Sequence, residues 1–383
     1  MDKFIEQLPF FTAEHRELAA DLQTLIESDI ESRAAEERDV EAQLREFVTT
    51  LANADALRYA VASPGSKLDV RALCLVREAL SYSSALADLA FVMQGLGTYA
   101  ISQAAPEHVR DFWLARAVEG KAIAAFALTE PDAGSDVAAI KTTAKLDGDA
   151  YVIDGRKRFI SNAGVADFYT VFARTGTDAN GRAALSAFIV GAKMPGFNVL
   201  ERTAMIAAHP IGEIEFQSCR VPAENMVGAE GDGFVLAMRT MDTFRASVGA
   251  AACGMARRAL DESVRHAVTR KQFGRFLAEH QLVQEKLADM ITELDAARLL
   301  VYRAAHLRDT GNGRVTREAS EAKLFATEAA CRIVDQAVQI HGGAGLVRGS
   351  VVERLYRDVR ALRIYEGTSE IQKLIIANQL LKD

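Results

Sequence analysis

Hydrophobic positions recur with a helical period at both ends of the chain and with a shorter period in its middle. Before position 120, apolar residues at helical spacing predict helices over 18–26 and 70–80. A further helix is predicted over 112–118, and Gly120 ends it. The first part of the chain is therefore predicted to be helical throughout.

The segment from about 121 to 230 consists of short apolar runs separated by turn signals, which is typical of strands. Asp147-Gly148-Asp149 has the composition of a hairpin turn. Other strand candidates are the segments 123–128, 151–153, 168–173, 185–190 and 214–216. Five or six strands without helices between them predict an antiparallel sheet or barrel, and argue against a doubly wound fold.

The last part of the chain returns to the helical period, in long runs. From Phe234 to Arg270 there is no proline, and frequent Ala and Gly residues allow neighbouring helices to approach closely. Apolar stripes over 287–297 and 322–340 complete the pattern of a four-helix bundle. Because 383 residues exceed a single core, we predict several domains. They are an N-terminal α-helical domain (1–120), a middle β domain (121–230) and a C-terminal four-helix-bundle domain (231–383).

Composition narrows the possible partners. The formal net charge is −7 and no basic stripe stands out, which argues against nucleic acid and anionic membranes. The four cysteines form no CxxC pair and the seven histidines do not cluster, so we expect free thiols and no metal site. The N-terminus lacks the features of a signal peptide, and no apolar run approaches the roughly 20 residues of a membrane helix. These features predict a cytoplasmic protein.

The segment from Phe126 to Asp136, FALTEPDAGSD, joins a strand end to a glycine turn rich in hydroxyl and N–H donors. Pro131 fixes one backbone dihedral, and Gly134 permits a positive φ. Such a turn can cradle a carbonyl-rich ring or an anion. Taken alone, the segment is better explained as a β-turn with an Asx-type hydrogen bond.

Two further segments are candidates for phosphate or cofactor binding. Arg270 to Arg275, followed by His280-Gln281, places three cations around a glycine, which can bind a pyrophosphate or simply form a solvated loop between helices. Gln339 to Gly345 ends an apolar stripe with a run of glycines that can expose backbone N–H groups. Gly343, Gly345 and Gly349 have the spacing GxGxxxG and a helix precedes them, so they do not match the dinucleotide-binding fingerprint.

The segment from Arg363 to Gln372 contains the strongest candidate for a catalytic base. Glu366 stands between an Ile-Tyr pair and a glycine, a setting that can desolvate the carboxylate and raise its pKa above about 4.3. A carboxylate with a raised pKa is a usable general base. The simpler interpretation is a helix start with Thr368 as N-cap, and the two are compatible.

Together, TEPxAGSD, RxxFG, QxxGGxG and YEGT occur in an order that resembles the acyl-CoA dehydrogenase family, over essentially the whole chain. The resemblance implies a mainly α fold with a central β domain. Its parts are an N-terminal helical domain, a middle antiparallel β-barrel domain and a C-terminal four-helix bundle. It also implies FAD as cofactor, a homotetramer, and electron transfer to an electron-transfer flavoprotein.

The resemblance assigns site residues by position. Those expected at the flavin ring are Phe126, Leu128, Thr129, Gly134 and Ser135, with Phe159, Ile160 and Ser161 on the adjacent strand. Those expected at the rest of FAD, some across a subunit interface, are Arg270, Gln272, Phe273, His280, Gln281, Gln339, Gly342, Gly343 and Thr368. Those expected at the substrate are Ser135, Asp242, Arg245 and Gly367.

The implied reaction is α,β-dehydrogenation of an acyl-CoA thioester to the trans-2-enoyl thioester. Glu366 resembles the family's base, which removes the α-proton while a hydride leaves the β-carbon for the flavin. Donors at the thioester carbonyl, which include the N–H of Glu366, stabilise the developing enolate.

Three positions depart from the family pattern. Phe159 stands where many relatives have Trp, and His209-Pro210 where many have a small Ser or Thr region. Asp88 lies among apolar neighbours near the expected acyl pocket, which predicts a cyclic or polar carboxyl-CoA substrate that Asp88 contacts or deprotonates. The alternative is an Asp on a helix surface, paired with an Arg or Lys. An acyl thioester on a carrier protein is a further alternative substrate, whereas the acidic charge argues against DNA-associated flavoproteins of this fold.

Overall fold

A computed structural model of the protein describes residues 3–34, 39–177, 181, 183–311 and 313–382. Contacts divide the chain into two compact units. The first unit comprises residues 1–37, 69–88 and 242–383, and the second comprises 38–68 and 89–241. The division into three domains at about 120 and 230 stays a prediction.

The helices confirm the helical ends predicted from hydrophobic periodicity. They are α1 (Lys3–Gln7), α2 (Ala13–Leu25), α3 (Glu31–Ala34), α4 (Val40–Asn53), α5 (Val70–Ser83), α6 (Ala85–Ala104), α7 (Glu107–Val118), α8 (Gly233–Thr269), α9 (Gln281–Thr310), α10 (Thr316–His341), α11 (Val351–Val359) and α12 (Ser369–Leu380). In the described residues, no helix is long and apolar enough to cross a bilayer.

Small residues on α8 permit close helix packing in the first unit. A Cβ atom on Gly249 would lie 2.7 Å from Cγ2 of Val301 on α9, and 3.2 Å from the carbonyl oxygen of Ala322 on α10. A Cβ atom on Gly254 would lie 2.2 Å from the carbonyl oxygen of Glu78 on α5. These approaches exclude larger side chains, as the Ala- and Gly-rich composition of the segment predicted.

The strands of the second unit form one sheet. They are β1 (Ala124–Ala127), β2 (Thr143–Asp147), β3 (Ala150–Ser161), β4 (Phe168–Thr177), β5 (Ala183–Gly191), β6 (Phe197–Arg202), β7 (Ile211–Pro222) and β8 (Met226–Val227). Their order is β6-β7-β3-β2-β4-β5-β8, with β1 paired to β4. In the described residues this path ends at β6 and β8, and the closed barrel is not seen in it.

The sheet corrects two details of the prediction. It has eight strands rather than five or six, because β6 is mostly exposed and β8 is only two residues long, so neither has a clear apolar run. It is mixed rather than antiparallel, since β1 and β2 each pair with β4 in parallel. A parallel pair needs a long crossover, and the β2–β3 hairpin with its flanking loops supplies the connection from β1 to β4.

The core of the second unit lies between the sheet and the helices α6 and α7. Phe168 and Phe172 of β4 are fully buried, together with Ile101 of α6 and Leu114 of α7. The ring of Trp113 packs on that of Phe168, with centroids 4.3 Å apart. This core fixes β4, which in turn fixes the end of β1 where the FALTEPDAGSD segment begins.

Candidate functional site

An irregularity in β3 exposes an aromatic ring in the second unit. The pairing of β3 with β7 shifts register between Lys157 and Ile160, and Phe159 within the shift has φ 55°. Such a bulge turns a side chain out of the regular alternation, and Phe159 is 51% exposed whereas Ile160 is 1% exposed. An exposed ring of this kind can stack on a flat cofactor. Since the Ile160 side chain is buried, any cofactor contact of that residue is left to its backbone.

Ser161, the last residue of β3, is held by a histidine. Its Oγ lies 2.8 Å from Nε2 of His209, in the segment before β7. Burial lowers the pKa of His209 to about 4, so this imidazole is neutral at physiological pH. The sequence marked His209 only as a departure from relatives, and the structure identifies it as the partner of a predicted flavin contact.

A buried carboxylate organises the turn after β1. Glu130 accepts hydrogen bonds from the backbone N–H groups of Lys141 (2.6 Å) and Thr142 (3.0 Å) and from Nζ of Lys157 (2.8 Å). The same Nζ donates to the Leu128 carbonyl at 3.1 Å. Burial opposes the charge of Glu130, but Lys157 and these hydrogen bonds outweigh it and lower the pKa of Glu130. Glu130 and Lys157 therefore fix the predicted flavin-lining segment, and neither was proposed from the sequence.

The predicted ring-lining residues differ in exposure. Phe126 and Thr129 are partly exposed, Leu128 is buried, and Gly134 and Ser135 are exposed. A Cβ atom on Gly134 would meet nothing within 4 Å. Gly134 does not have the positive φ that the sequence allowed. What it provides is open space beside the backbone, which fits the close approach of a planar ring.

In the first unit, Glu366 lies at a sharp turn between α11 and α12. Glu366 has φ 54° and Gly367 has φ 93°, so two successive residues are left-handed. Thr368 is the N-cap of α12, as predicted, and its side chain accepts from the N–H of Ile371 at 3.4 Å. A left-handed non-glycine residue is strained, and such strain is concentrated at functional sites.

The Glu366 carboxylate is unusually placed for a charged group. Its Oε2 is buried and has no hydrogen-bond partner among the described residues. Burial raises the pKa of Glu366, and the cations Arg77, Lys323 and Arg245 only partly oppose the rise, while Asp88 adds to it. A buried carboxylate with a raised pKa is a candidate for a general base.

Two buried side chains hold the backbone of this turn. Nζ of Lys323 on α10 donates to the Gly367 carbonyl at 2.7 Å. Nε2 of Gln372 on α12 donates to the carbonyls of Glu366 (3.2 Å) and Gly367 (3.0 Å). Both side chains were missed from the sequence, where Lys323 falls next to an apolar stripe and Gln372 within a helix start.

Asp88 forms a buried ion pair. Nε and Nη2 of Arg77 donate to its two carboxylate oxygens at 2.8 and 2.7 Å, and Nη1 of Arg77 donates to Oγ of Ser247 at 3.0 Å. Asp88 is 3% exposed and Arg77 is 1% exposed. The pairing with an arginine matches the alternative left open by the sequence, although the pair is buried rather than on a surface. Contact of Asp88 with an acyl group stays a prediction.

Asp242 and Arg245 are neighbours on α8. Arg245 donates through Nη1 to Asp242, and Oδ2 of Asp242 accepts from Oγ1 of Thr316 at 3.2 Å. The Nε of Arg245 is buried and has no hydrogen-bond partner among the described residues. This arginine therefore retains a donor that can bind a carbonyl or phosphate oxygen of a ligand.

The cationic segment after α8 is a small hairpin rather than the plain loop considered from the sequence. Strands β9 (Lys271–Gln272) and β10 (Arg275–Phe276) pair antiparallel around Phe273, which has φ 54° and is 95% exposed. Arg270, Gln272, His280 and Gln281 are partly or largely exposed. An exposed aromatic ring among cations fits contact with a nucleotide or with another subunit.

The glycine run after α10 is open. Gly342 has φ 59°, and a Cβ atom on Gly342 or Gly343 would meet nothing within 4 Å. Gln339 on the last turn of α10 is exposed. The open backbone fits the cofactor loop that the resemblance implies. Among the residues that the structure describes, no group of three or more His, Cys, Asp or Glu could hold a metal ion.

Comparison with known proteins covers nearly the whole chain. Models of the acyl-CoA dehydrogenase N-terminal, middle and C-terminal domains match residues 12–121, 125–219 and 231–381. The chain is 41% identical over 313 residues to cyclohexane-1-carbonyl-CoA dehydrogenase of Geobacter metallireducens, covering 81% of this chain and 82% of that protein. It is 40% identical over 383 residues to 3-(aryl)acrylate reductase of Clostridium sporogenes, covering 97% and 100%. Among solved structures, butyryl-CoA dehydrogenase from Megasphaera elsdenii matches with a TM-score of 0.89 and 33% identity, covering 97% and 99%.

Proposed function

The chain belongs to the acyl-CoA dehydrogenase family, and is therefore an FAD-dependent oxidoreductase acting on CH–CH bonds; from this premise we propose that it oxidises an acyl-CoA thioester to the trans-2-enoyl thioester with Glu366 as the base. The observation that carries the proposal is the buried Oε2 of Glu366, which has no hydrogen-bond partner among the described residues. A carboxylate oxygen in that state, with a raised pKa, binds a proton readily.

The residues of the first unit act on the substrate. Glu366 removes the α-proton, and the backbone N–H groups of the Glu366–Gly367 turn are suited to donate to the thioester carbonyl. Arg245 and Asp242 bind the CoA arm, with the unpartnered Nε of Arg245 as a donor. Because Oε2 of Glu366 is buried, this oxygen has little contact with solvent that must be lost before proton transfer.

The residues of the second unit hold the flavin. Phe159 provides an exposed ring, Thr129 and Ser135 provide hydroxyl groups, and Ser161 is oriented by His209. FAD, when bound, accepts the hydride that leaves the β-carbon. In the first unit, the exposed hairpin around Phe273 and the open backbone at Gly342 are suited to the diphosphate and adenosine of FAD.

The remaining partners follow from the family. We propose an electron-transfer flavoprotein as acceptor and a homotetramer as the assembly. The 95% exposed ring of Phe273 and the partly exposed ring of Phe276 on the same hairpin form a surface that a second subunit can cover.

Anaerobic mixing of the FAD-loaded protein with a panel of acyl-CoA esters tests the reaction. We expect the flavin absorbance to bleach with at least one ester, and the enoyl thioester to appear in equal amount. Glu366→Gln should keep FAD and lose the bleaching by several orders of magnitude, of which removal of a general base accounts for roughly 10²–10⁴-fold. Bleaching of this variant at the wild-type rate would reject Glu366 as the base.

A cyclic or polar carboxyl-CoA is the second candidate substrate. The buried Arg77–Asp88 pair contributes to the electrostatics of Glu366, so the surroundings of the base are more polar than a plain fatty chain requires. The similarity to a cyclohexane-1-carbonyl-CoA dehydrogenase points the same way.

The panel should therefore contain linear, branched and cyclic esters, each also supplied on an acyl carrier protein. Asp88→Ala alone would strand the Arg77 charge, which costs several kcal/mol. The double variant Arg77→Met/Asp88→Leu removes both charges and is the informative one. If its ratio of cyclic to linear rates equals that of the wild type, the pair does not select the substrate. If only the carrier-bound ester bleaches the flavin, the substrate is an acyl thioester on a carrier protein rather than an acyl-CoA.

A further inference from the structure

Lys323 lies on α10 beside the turn that carries Glu366, and none of its side chain is exposed. Lysine is almost never fully buried unless its ammonium group has a partner, because desolvation of that group is costly. Its Nζ donates to the Gly367 carbonyl at 2.7 Å rather than to a carboxylate. The ammonium group therefore binds the backbone of the turn that carries Glu366.

Gln372 reinforces the same turn from α12. It is fully buried, and its Nε2 donates to the carbonyls of both Glu366 and Gly367. These two residues have φ values of 54° and 93°. Glutamate is disfavoured in this conformation, so the turn persists only where its surroundings enforce it.

The charges around the base come from several helices. The groups that face Glu366 are Arg77 on α5, Asp88 on α6, Arg245 on α8, Lys323 on α10 and the adjacent Tyr365. The groups that face Lys323 are Glu366, Arg245, Glu328 and Glu370. Burial lowers the pKa of Lys323 to about 8, so the ammonium form still prevails at neutral pH, where it favours the carboxylate form of Glu366.

We propose that Lys323 and Gln372 are positioning residues for the base. They hold the two carbonyls of the Glu366–Gly367 turn, and the ammonium group of Lys323, fixed beside that turn, favours the ionised form of Glu366 that accepts a proton. The inference rests on the proposed role of Glu366 and extends it to two residues that touch no reacting atom.

The pH dependence of flavin reduction in the FAD-loaded enzyme tests the electrostatic part. Lys323→Met should move the acidic limb to higher pH and lower the reduction rate near pH 6 by about tenfold, with little change in KM. Lys323→Arg keeps the charge and should keep the limb near its wild-type position. The control is Lys373→Met, which removes an equal charge from an exposed site on α12. An unmoved limb in Lys323→Met, or an equal shift in the control, would overturn the proposal.

Hydrogen exchange followed by mass spectrometry tests, without any turnover, whether Lys323 and Gln372 hold the Glu366–Gly367 turn in place. Peptides covering 364–372 should exchange faster in Lys323→Met and in Gln372→Leu than in the wild type or Lys373→Met. Unchanged exchange there, or an equal acceleration across the whole chain, would reject a positioning role. If no acyl thioester bleaches the wild-type flavin, the proposed reaction fails. Faster hydrogen exchange confined to residues 364–372 in the two variants would still show that Lys323 and Gln372 hold the turn.

Discussion

Glu130 of the second unit and Glu366 of the first unit both belong to turns that contain glycine. A fully buried lysine donates a hydrogen bond to each of these turns. Lys157 binds the Glu130 carboxylate itself, and two backbone N–H groups complete its hydrogen bonds. Lys323 binds a carbonyl next to Glu366, whose Oε2 accepts no hydrogen bond from the described residues. The pKa is accordingly lowered at Glu130 and raised at Glu366. The two carboxylates thus differ in burial and in the atom that the neighbouring lysine binds, a carboxylate oxygen at Glu130 and a backbone carbonyl beside Glu366.

Matched glutamine substitutions should separate the two carboxylates by activity, and this is the largest effect expected. Glu366→Gln removes the proton acceptor and should slow flavin reduction by roughly 10²–10⁴-fold or more. Glu130→Gln removes no reacting group and should slow it by less than about tenfold when FAD content is equal. Anaerobic stopped-flow absorbance measures both. Similar losses in the two variants would show that Glu130 takes part in the chemistry.

When stability is measured, Glu130→Gln should be the more strongly affected variant and Glu366→Gln the less affected one. Glu130→Gln leaves the ammonium group of Lys157 buried without its counter-charge, which should cost about 3 kcal/mol in the free energy of unfolding. Glu366→Gln breaks no hydrogen bond of Oε2 and should cost nothing. Urea denaturation of both apoproteins provides the comparison, and Lys157→Met/Glu130→Leu should recover much of the loss. A stable Glu130→Gln protein would contradict the structural role.

The difference between these carboxylates could not be predicted from the sequence. Motif order pointed to Glu366 and to the family, hydrophobic periodicity located α5, α9 and α10, and the proline-free segment rich in Ala and Gly located α8. The partners of Glu366 were not visible, since Lys323 and Arg77 lie 43 and 289 positions away from it. Local spacing carries no information on contacts between residues that distant, and the chain fold alone brings them into one cluster.

The bulge in β3 was unpredictable for a related reason. Phe159 reads as an ordinary strand residue, and only the register of β3 against β7 shows that it leaves the alternation. In the same way, the sequence indicated that Gly134 permits a positive φ, whereas the structure shows no positive φ there and open space beside the backbone. A glycine in a sequence indicates that a side chain is excluded, but not whether dihedral strain or a ligand excludes it.

Replacing one glycine of each turn by alanine compares how tightly the two turns are constrained, and the expected effect on stability is moderate. Gly367 has φ 93°, and an added Cβ would lie 2.5 Å from Nε2 of Gln372, so Gly367→Ala should cost about 1–3 kcal/mol and slow flavin reduction. Gly134 has no such φ and open space around it, so Gly134→Ala should leave the stability of the apoprotein within about 0.5 kcal/mol. Thermal unfolding of the two variants decides. Equal destabilisation would mean that the Gly367 turn is not specially constrained.

The pH dependence of stability is the smallest expected difference and has opposite signs at the two sites. Because the pKa of Glu130 is lowered on folding, the folded state binds fewer protons, and Glu130 stabilises the fold above its ordinary pKa of 4.5. That contribution is lost as the pH falls through the lowered value. Glu366 has a raised pKa, so the folded state binds more protons, and its ionisation costs stability as the pH rises from 4.5 through the raised value.

Relative to wild type, Glu366→Gln should therefore gain stability as the pH rises from 4.5 through the raised pKa of Glu366, because the glutamine cannot ionise. Glu130→Gln should lose stability relative to wild type at lower pH, as the pH rises through the lowered pKa of Glu130 to 4.5, because the contribution that it lacks grows there. Urea denaturation of the apoproteins at several pH values follows both differences, and wild type in the same buffers removes the effects of all other titrating groups. Parallel slopes for the two variants would mean that both carboxylates titrate alike, and the distinction between a satisfied and an unsatisfied oxygen would then have no thermodynamic consequence.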